Sequence, residues 1–113
     1  MQTQELSESA IQSQFYQLFH NTYPEKRGRL FCINNNSQNA VKGALNKAMG
    51  VLPGVADMAY LVPGGVIFLE CKTPTGTQSA SQRQFQALCH SLGIPYFIFR
   101  SVAEGVKIIE KYF

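Results

Sequence analysis

The stretch ADMAYLVPGGVIFLECK, residues 56–72, decides how this chain is read. Two apolar runs of strand length flank Pro63-Gly64, a pair suited to a tight turn, so the stretch is expected to form an antiparallel hairpin. The second run passes from Val66, Ile67, Phe68 and Leu69 straight into Glu70, Cys71 and Lys72. Side chains alternate along a strand, so Glu70 and Lys72 share a face with Phe68, while Ile67, Leu69 and Cys71 point the other way. With the loop centred on Pro63-Gly64, Asp57 falls directly opposite Glu70. Opposed residues bring their Cβ atoms to about 4.5–5.5 Å, and like charges there oppose folding. The pairing is conditional, because a one-residue shift in the loop undoes it.

Lys72 can neutralise only one of these two carboxylates. A divalent cation accounts for the surplus charge. Mg²⁺ suits the arrangement, since it takes one or two protein carboxylates, keeps several waters and completes its octahedron with phosphate oxygens.

Outward from the hairpin the apolar period changes. Ser7 can cap a helix carrying Ile11, Phe15, Leu18 and Phe19, stopped at Tyr23-Pro24. RLFCI, residues 29–33, reads as a short strand. A second amphipathic helix runs through Val41, Ala44, Leu45, Ala48 and Met49 to Gly50. A third opens at Ser79 with Phe85, Leu88, Cys89 and Leu92 on one face. IPYFIF, residues 94–99, is a short buried strand, and Ser101 with Glu104 makes a capping box for a last helix. The order is helix, strand, helix, hairpin, helix, strand, helix. The third helix has the length of a parallel βαβ crossover, which predicts an α/β domain with a mixed sheet.

At 113 residues, 45% of them hydrophobic, the chain suits one domain with one core. Its net charge of +3 is a mild basic bias that suits a polyanionic partner and is shared by many proteins without one. Cys32, Cys71 and Cys89 are odd in number and lack metal-site spacing, so reduced, buried thiols are expected rather than a disulfide framework or zinc site. The first ten residues lack the apolar core of a secretion signal, and no apolar run approaches membrane-spanning length. A cytoplasmic protein with no membrane association is the expectation.

Glu8 and Gln82 begin the core-facing stripes of the first and third helices, from which both could reach the charged end of the sheet. Plain readings stand beside these. Glu8 could simply complement a helix dipole, and Gln82 could complete a capping box with Ser79. Glu70 and Lys72 could be a surface ion pair, and Asp57 could cap a turn. His20 and His90 read as structural or surface residues, because neither has a ligand partner at useful spacing.

Taken together, PGVADMAYLVPGGVIFLECKT followed by SASQRQF resembles the PD-(D/E)xK nuclease core in its virus-type replication-repair nuclease (VRR-NUC) form. Asp57, Glu70, Lys72 and Gln82 match that family's motif positions in order, and Glu8 matches the acid that members often carry in the first helix. Ala56 stands where Pro is common, and Cys71 where a branched aliphatic is common.

The resemblance covers nearly the whole chain. It implies one restriction-endonuclease-like domain over residues 1–113, a central mixed β-sheet flanked by helices. It further implies a Mg²⁺- or Mn²⁺-dependent, structure-selective DNA endonuclease, with Asp57, Glu70, Lys72, Gln82 and Glu8 catalytic. Asp57, Glu70 and the backbone carbonyl of Cys71 would hold the metal. Phosphate contacts are expected from Lys42, Lys47, Arg29 and Arg83, with Lys26 and Arg27 nearby. Single-domain members resemble homodimers that act on branched DNA such as four-way (Holliday) junctions, in bacterial or phage-infected cells; no nucleotide cofactor is implied. The rival reading is a non-catalytic DNA-binding or dimerisation module that keeps the fold. A sequence-specific, restriction-type nuclease is a third, for which 113 residues leave little room for a reader domain.

Overall fold

Ser7 accepts a hydrogen bond from the Ala10 N–H and so opens α1, Glu8–Thr22. The computed structural model, which describes residues 5–33 and 40–113, then passes through a short 3-10 turn at Pro24–Lys26 into β1, Leu30–Cys32. α2 spans Ala40–Ala48, β2 Met58–Val62 and β3 Gly65–Cys71. α3 spans Ala80–Ser91, β4 Tyr96–Phe99 and α4 Val102–Glu110. Among the described residues no helix is long and apolar enough to cross a membrane.

The four strands form one sheet in the order β1-β2-β3-β4. β1 and β3 both pair antiparallel with β2, and β4 lies parallel to β3 across the α3 crossover. This is the mixed, helix-flanked sheet expected from the order of elements. The β2–β3 register runs from Met58↔Leu69 to Val62↔Gly65, leaving Pro63 and Gly64 as a two-residue loop. Pro63 suits the first central position of that turn, and Gly64 takes the left-handed conformation (φ +75°) that its second position requires.

The two faces of the sheet carry separate cores. On one, Ile67, Leu69, Cys71, Met58 and Tyr60 pack with Ile11, Phe15 and Phe19 of α1 and with Ile108 and Ile109 of α4. The Phe15 ring lies against Gly105, where a Cβ would come within 2.9 Å of it, so α1 and α4 approach closely there. On the other face Phe68, Tyr96 and Ile98 pack with Ala56 and with Phe85 and Cys89 of α3.

Several helical stripes are narrower in the structure than their spacing predicts. Leu18 of α1, and Leu88 and Leu92 at the end of α3, are exposed, because each helix meets the sheet only along the line of its most inward residues. α2 leaves Leu45 and Met49 exposed at 56% and 71%. Periodicity says which residues share a helix face, not whether another element covers it. Of the thiols, all free, Cys71 and Cys89 are buried as expected. Cys32 is exposed instead, because it ends a three-residue strand at the sheet edge.

Both capping boxes form, one in altered shape. Ser79 and Gln82 exchange both bonds at the start of α3. Ser101 accepts from Glu104 N–H, but the Glu104 carboxylate reaches back one residue further and accepts the Arg100 N–H at 2.6 Å.

The loop between α2 and β2 is held at Gly54 (φ +84°), where a Cβ would overlap the Ser81 carbonyl and meet the Gln82 nitrogen at 2.7 Å. Gly54→Ala is therefore expected to cost about 1–3 kcal/mol, the range for enforced backbone strain. A urea midpoint for this variant equal to that of the parent would show the contact to be dispensable.

Candidate active site

The strand register carries Asp57 opposite Glu70, one step beyond the Met58↔Leu69 pair. Asp57 is fixed on two sides. Its backbone carbonyl accepts the Ile33 N–H at 2.7 Å, and its Oδ2 accepts the Cys71 N–H at 2.8 Å. Alternate residues of β3 address alternate neighbours, and the Lys72 N–H goes to Phe99 of β4. In a ladder a residue's C=O points to the same side as its N–H. The Cys71 carbonyl is thereby directed toward the side on which Asp57 stands.

Glu70 is wholly buried. Its Oε1 accepts a 2.6 Å hydrogen bond from the Tyr96 hydroxyl, to which Gln78 Nε2 donates in turn at 3.3 Å. Its Oε2 is buried without a hydrogen-bond partner. Burial pushes the Glu70 carboxyl above the usual range, with the Asp57 charge adding to it; Tyr96, Lys72 and Gln78 pull the other way. Asp57, half-buried, is likewise raised, chiefly by burial and further by Glu8, against the Cys71 N–H and Lys72. Burial together with the Asp57 and Glu8 charges pushes the Cys71 thiol up to about 12. That side chain is buried in the α1-side core, away from the α3 face on which Glu70 lies.

Lys72 is 7% exposed, and its Nζ lies 3.6 Å from Glu8 Oε1. Glu8 is thus brought to the end of the sheet as its place on the α1 stripe suggests. Its backbone carbonyl also lies 3.4 Å from the Cys71 sulfur. The segment after Lys72 is clamped by Arg100, whose Nη1 donates to the carbonyls of Thr73 and Gly76 at 2.7 Å each.

Gln82 takes the plainer of its two expected places, since its Oε1 accepts the Ser79 N–H at 2.7 Å. It nevertheless lines a polar cleft of about 380 Å³ with Asp57, Ser79, Ser81, Gln12 and Cys32. Glu70 does not line that cleft and is wholly buried.

The basic residues divide. Lys47 is exposed on α2, and the Lys42 side chain lies outside the described residues. Arg83 is exposed, with one donor on the Gln78 carbonyl at 2.7 Å. Arg29 sits beside Leu61, four residues along β2 from Asp57, or roughly 13 Å at strand rise. Its guanidinium bonds the carbonyls of Leu61 and Tyr112 and covers the Tyr60 ring at 4.7 Å. Lys26 and Arg27 are engaged near the same end, Lys26 with Glu25 and the Phe113 ring, Arg27 with the His20 carbonyl.

Sequence reasoning missed Tyr96, Gln78 and Arg100. A hydroxyl inside the apolar run IPYFIF was the one available signal for Tyr96. It could be interpreted only once the parallel register, Phe68↔Tyr96 and Glu70↔Ile98, was known.

The raised Glu70 carboxyl makes a stability prediction. Its contribution is fully present below the unfolded value near 4.5 and is lost as pH rises through the higher folded value. In EDTA, Glu70→Gln should flatten this decline and be more stable than the parent at pH 8, by about 1 kcal/mol or more. Urea midpoints from pH 4 to 8 measure it, and a variant weaker than the parent at pH 8 with an unchanged slope contradicts it.

No family model and no curated protein matches the chain. Among solved structures it is similar to one described as a "VRR_NUC domain protein", with a TM-score of 0.74 and 15% sequence identity. The match covers 96% of this chain and 89% of the other. The fold is that of a VRR-NUC domain, a mixed α/β core with a four-stranded sheet flanked by helices, as the motif resemblance implies.

Proposed function

We propose that the chain is a metal-dependent, structure-selective endonuclease that hydrolyses phosphodiester bonds in branched DNA. The single observation that carries this reading is the unpartnered Glu70 Oε2, buried at a strand end with Asp57 opposite. A lone oxygen of a buried carboxylate is costly unless a cation or donor completes it. Among the described residues no group of three or more His, Cys, Asp or Glu side chains is arranged to hold a metal ion. The donor set that the motif resemblance implies is two carboxylates and the Cys71 carbonyl, an all-oxygen set suited to Mg²⁺ or Mn²⁺ with waters and phosphate completing the shell.

Such an ion lowers the pKa of a bound water and polarises the phosphate under attack. The chain's own groups do the rest. Lys72, held at the site by Glu8, would take up or steady the proton of the attacking water and offset the charge that grows as one P–O bond forms and another breaks. Gln82, in the cleft beside Asp57, would position the water or the phosphate. The N-terminal end of α3, with the positive end of its dipole, favours the anion. Lys47, Arg83 and Lys42 would grip the DNA backbone without reading sequence, and Arg29 would act only at the margin, given its internal bonds. A homodimer would present two such sites to the two strands of a four-way junction.

Complete burial of Glu70 favours the rival reading, a DNA-binding or dimerisation module on a nuclease fold. The two separate cleanly. Purified protein incubated with a four-way junction, a flap and a linear duplex should cut the junction only with Mg²⁺ or Mn²⁺. Asp57→Ala, Glu70→Ala and Lys72→Ala should each lose about 10²-fold or more of that activity. No cleavage of any substrate, together with no Asp57-dependent Mn²⁺ uptake by calorimetry, would assign the binding module instead.

A further inference from the structure

Each oxygen of the Glu70 carboxylate has a different fate. Oε1 is engaged by the Tyr96 hydroxyl at 2.6 Å, the short separation of a charge-assisted O–H···O⁻ bond. Gln78 Nε2 donates to the same hydroxyl oxygen at 3.3 Å, which leaves the phenolic proton directed at Glu70. Oε2 has no partner. Tyr96 is itself buried, 6% exposed, and its ring is packed edge-on against Phe85 in the α3-side core. The hydroxyl is therefore held by packing on one side and by hydrogen bonds on the other.

This asymmetry bears on which cation the site takes. Ca²⁺ accepts six to eight oxygens at loose geometry and commonly takes a carboxylate through both oxygens, whereas Mg²⁺ demands a near-ideal octahedron with single-oxygen carboxylate ligands. We propose that Tyr96 is a specificity-determining positioning residue: by hydrogen-bonding Oε1 it orients Glu70 for one-oxygen ligation through Oε2 and so biases the site toward Mg²⁺ and Mn²⁺ and against Ca²⁺. This rests on the metal-binding reading above and extends it to a residue outside the ligand set. Asp57 is restrained in the same sense, since its Oδ2 is occupied by the Cys71 N–H. One oxygen of each acid thus already accepts a hydrogen bond, which weighs against two-oxygen ligation of the kind Ca²⁺ tolerates.

The test is calorimetric titration of the apo protein with MgCl₂, MnCl₂ and CaCl₂ separately, for the parent, Asp57→Asn and Tyr96→Phe. The parent should bind Ca²⁺ no more tightly than Mg²⁺ at the site that Asp57→Asn removes. Tyr96→Phe should shift the Ca²⁺-to-Mg²⁺ affinity ratio toward Ca²⁺ by about tenfold, the lower end of the effect of a hydrogen-bonded ligand partner. A merely structural role would weaken both ions alike and leave the ratio unmoved. An unmoved ratio in folded Tyr96→Phe, judged by near-UV circular dichroism, overturns the inference while leaving the metal site standing. So does a parent that prefers Ca²⁺ over Mg²⁺ by about tenfold or more, and that arm decides the matter if the variant does not fold. Absence of any Asp57-dependent ion binding overturns the metal reading itself, and this inference with it.

Discussion

The two-residue turn at Pro63-Gly64 is the constraint on which the rest of the structure depends. It sets the β2–β3 register, and the register decides that Asp57 stands opposite Glu70 at the other end of the hairpin. A slip of one residue would turn either Met58 and Tyr60 or Ile67 and Leu69 out of the α1–α4 core and carry the two acids to different faces. Packing and site chemistry are thus fixed together. The apolar residues that lock the register are the reason two like charges can be held in opposition at all.

Charge at the end of the sheet is divided between its two layers. Glu70 turns toward the α3 side, where Tyr96 and Gln78 receive it, while Lys72 reaches Glu8 at the start of α1. Asp57 stands between, tied to β1 through Ile33 and to β3 through Cys71. Two helix beginnings, those of α1 and α3, converge on one strand end. The cleft between them is mostly polar, lined by Ser9, Gln12, Ser79, Ser81, Gln82 and Asp57 together with Cys32, Ile33 and Val55. Arg100 restrains the segment that follows Lys72, so a residue of the last turn before α4 takes part in holding the site.

Complete burial gives Glu70 its character. A carboxylate in that position with one orphan oxygen works against stability, and the elevated pKa expresses the same penalty. Local instability at a place where the fold elsewhere is well packed is the usual mark of a functional site. The donor at 2.6 Å lessens the penalty without removing it, which leaves the second oxygen without a partner.

By itself the sequence determined the order of elements, the hairpin and its turn, the caps at Ser7, Ser79 and Ser101, and the candidacy of Asp57, Glu70, Lys72, Gln82 and Glu8. Those are local properties: alternation, helical period, turn chemistry and a motif carried on adjacent strands. Only the tertiary structure decided that Lys72 pairs with Glu8, that Glu70 is wholly buried, and that Tyr96 donates to it. It also decided that Arg29 spends its donors on the chain's own carbonyls and that Leu45 of α2 stays exposed. The physical reason is one of range. Period and propensity act over a few residues, whereas burial and partner choice are set by which elements meet across the sheet, as Tyr96 meets Glu70 from 26 residues away.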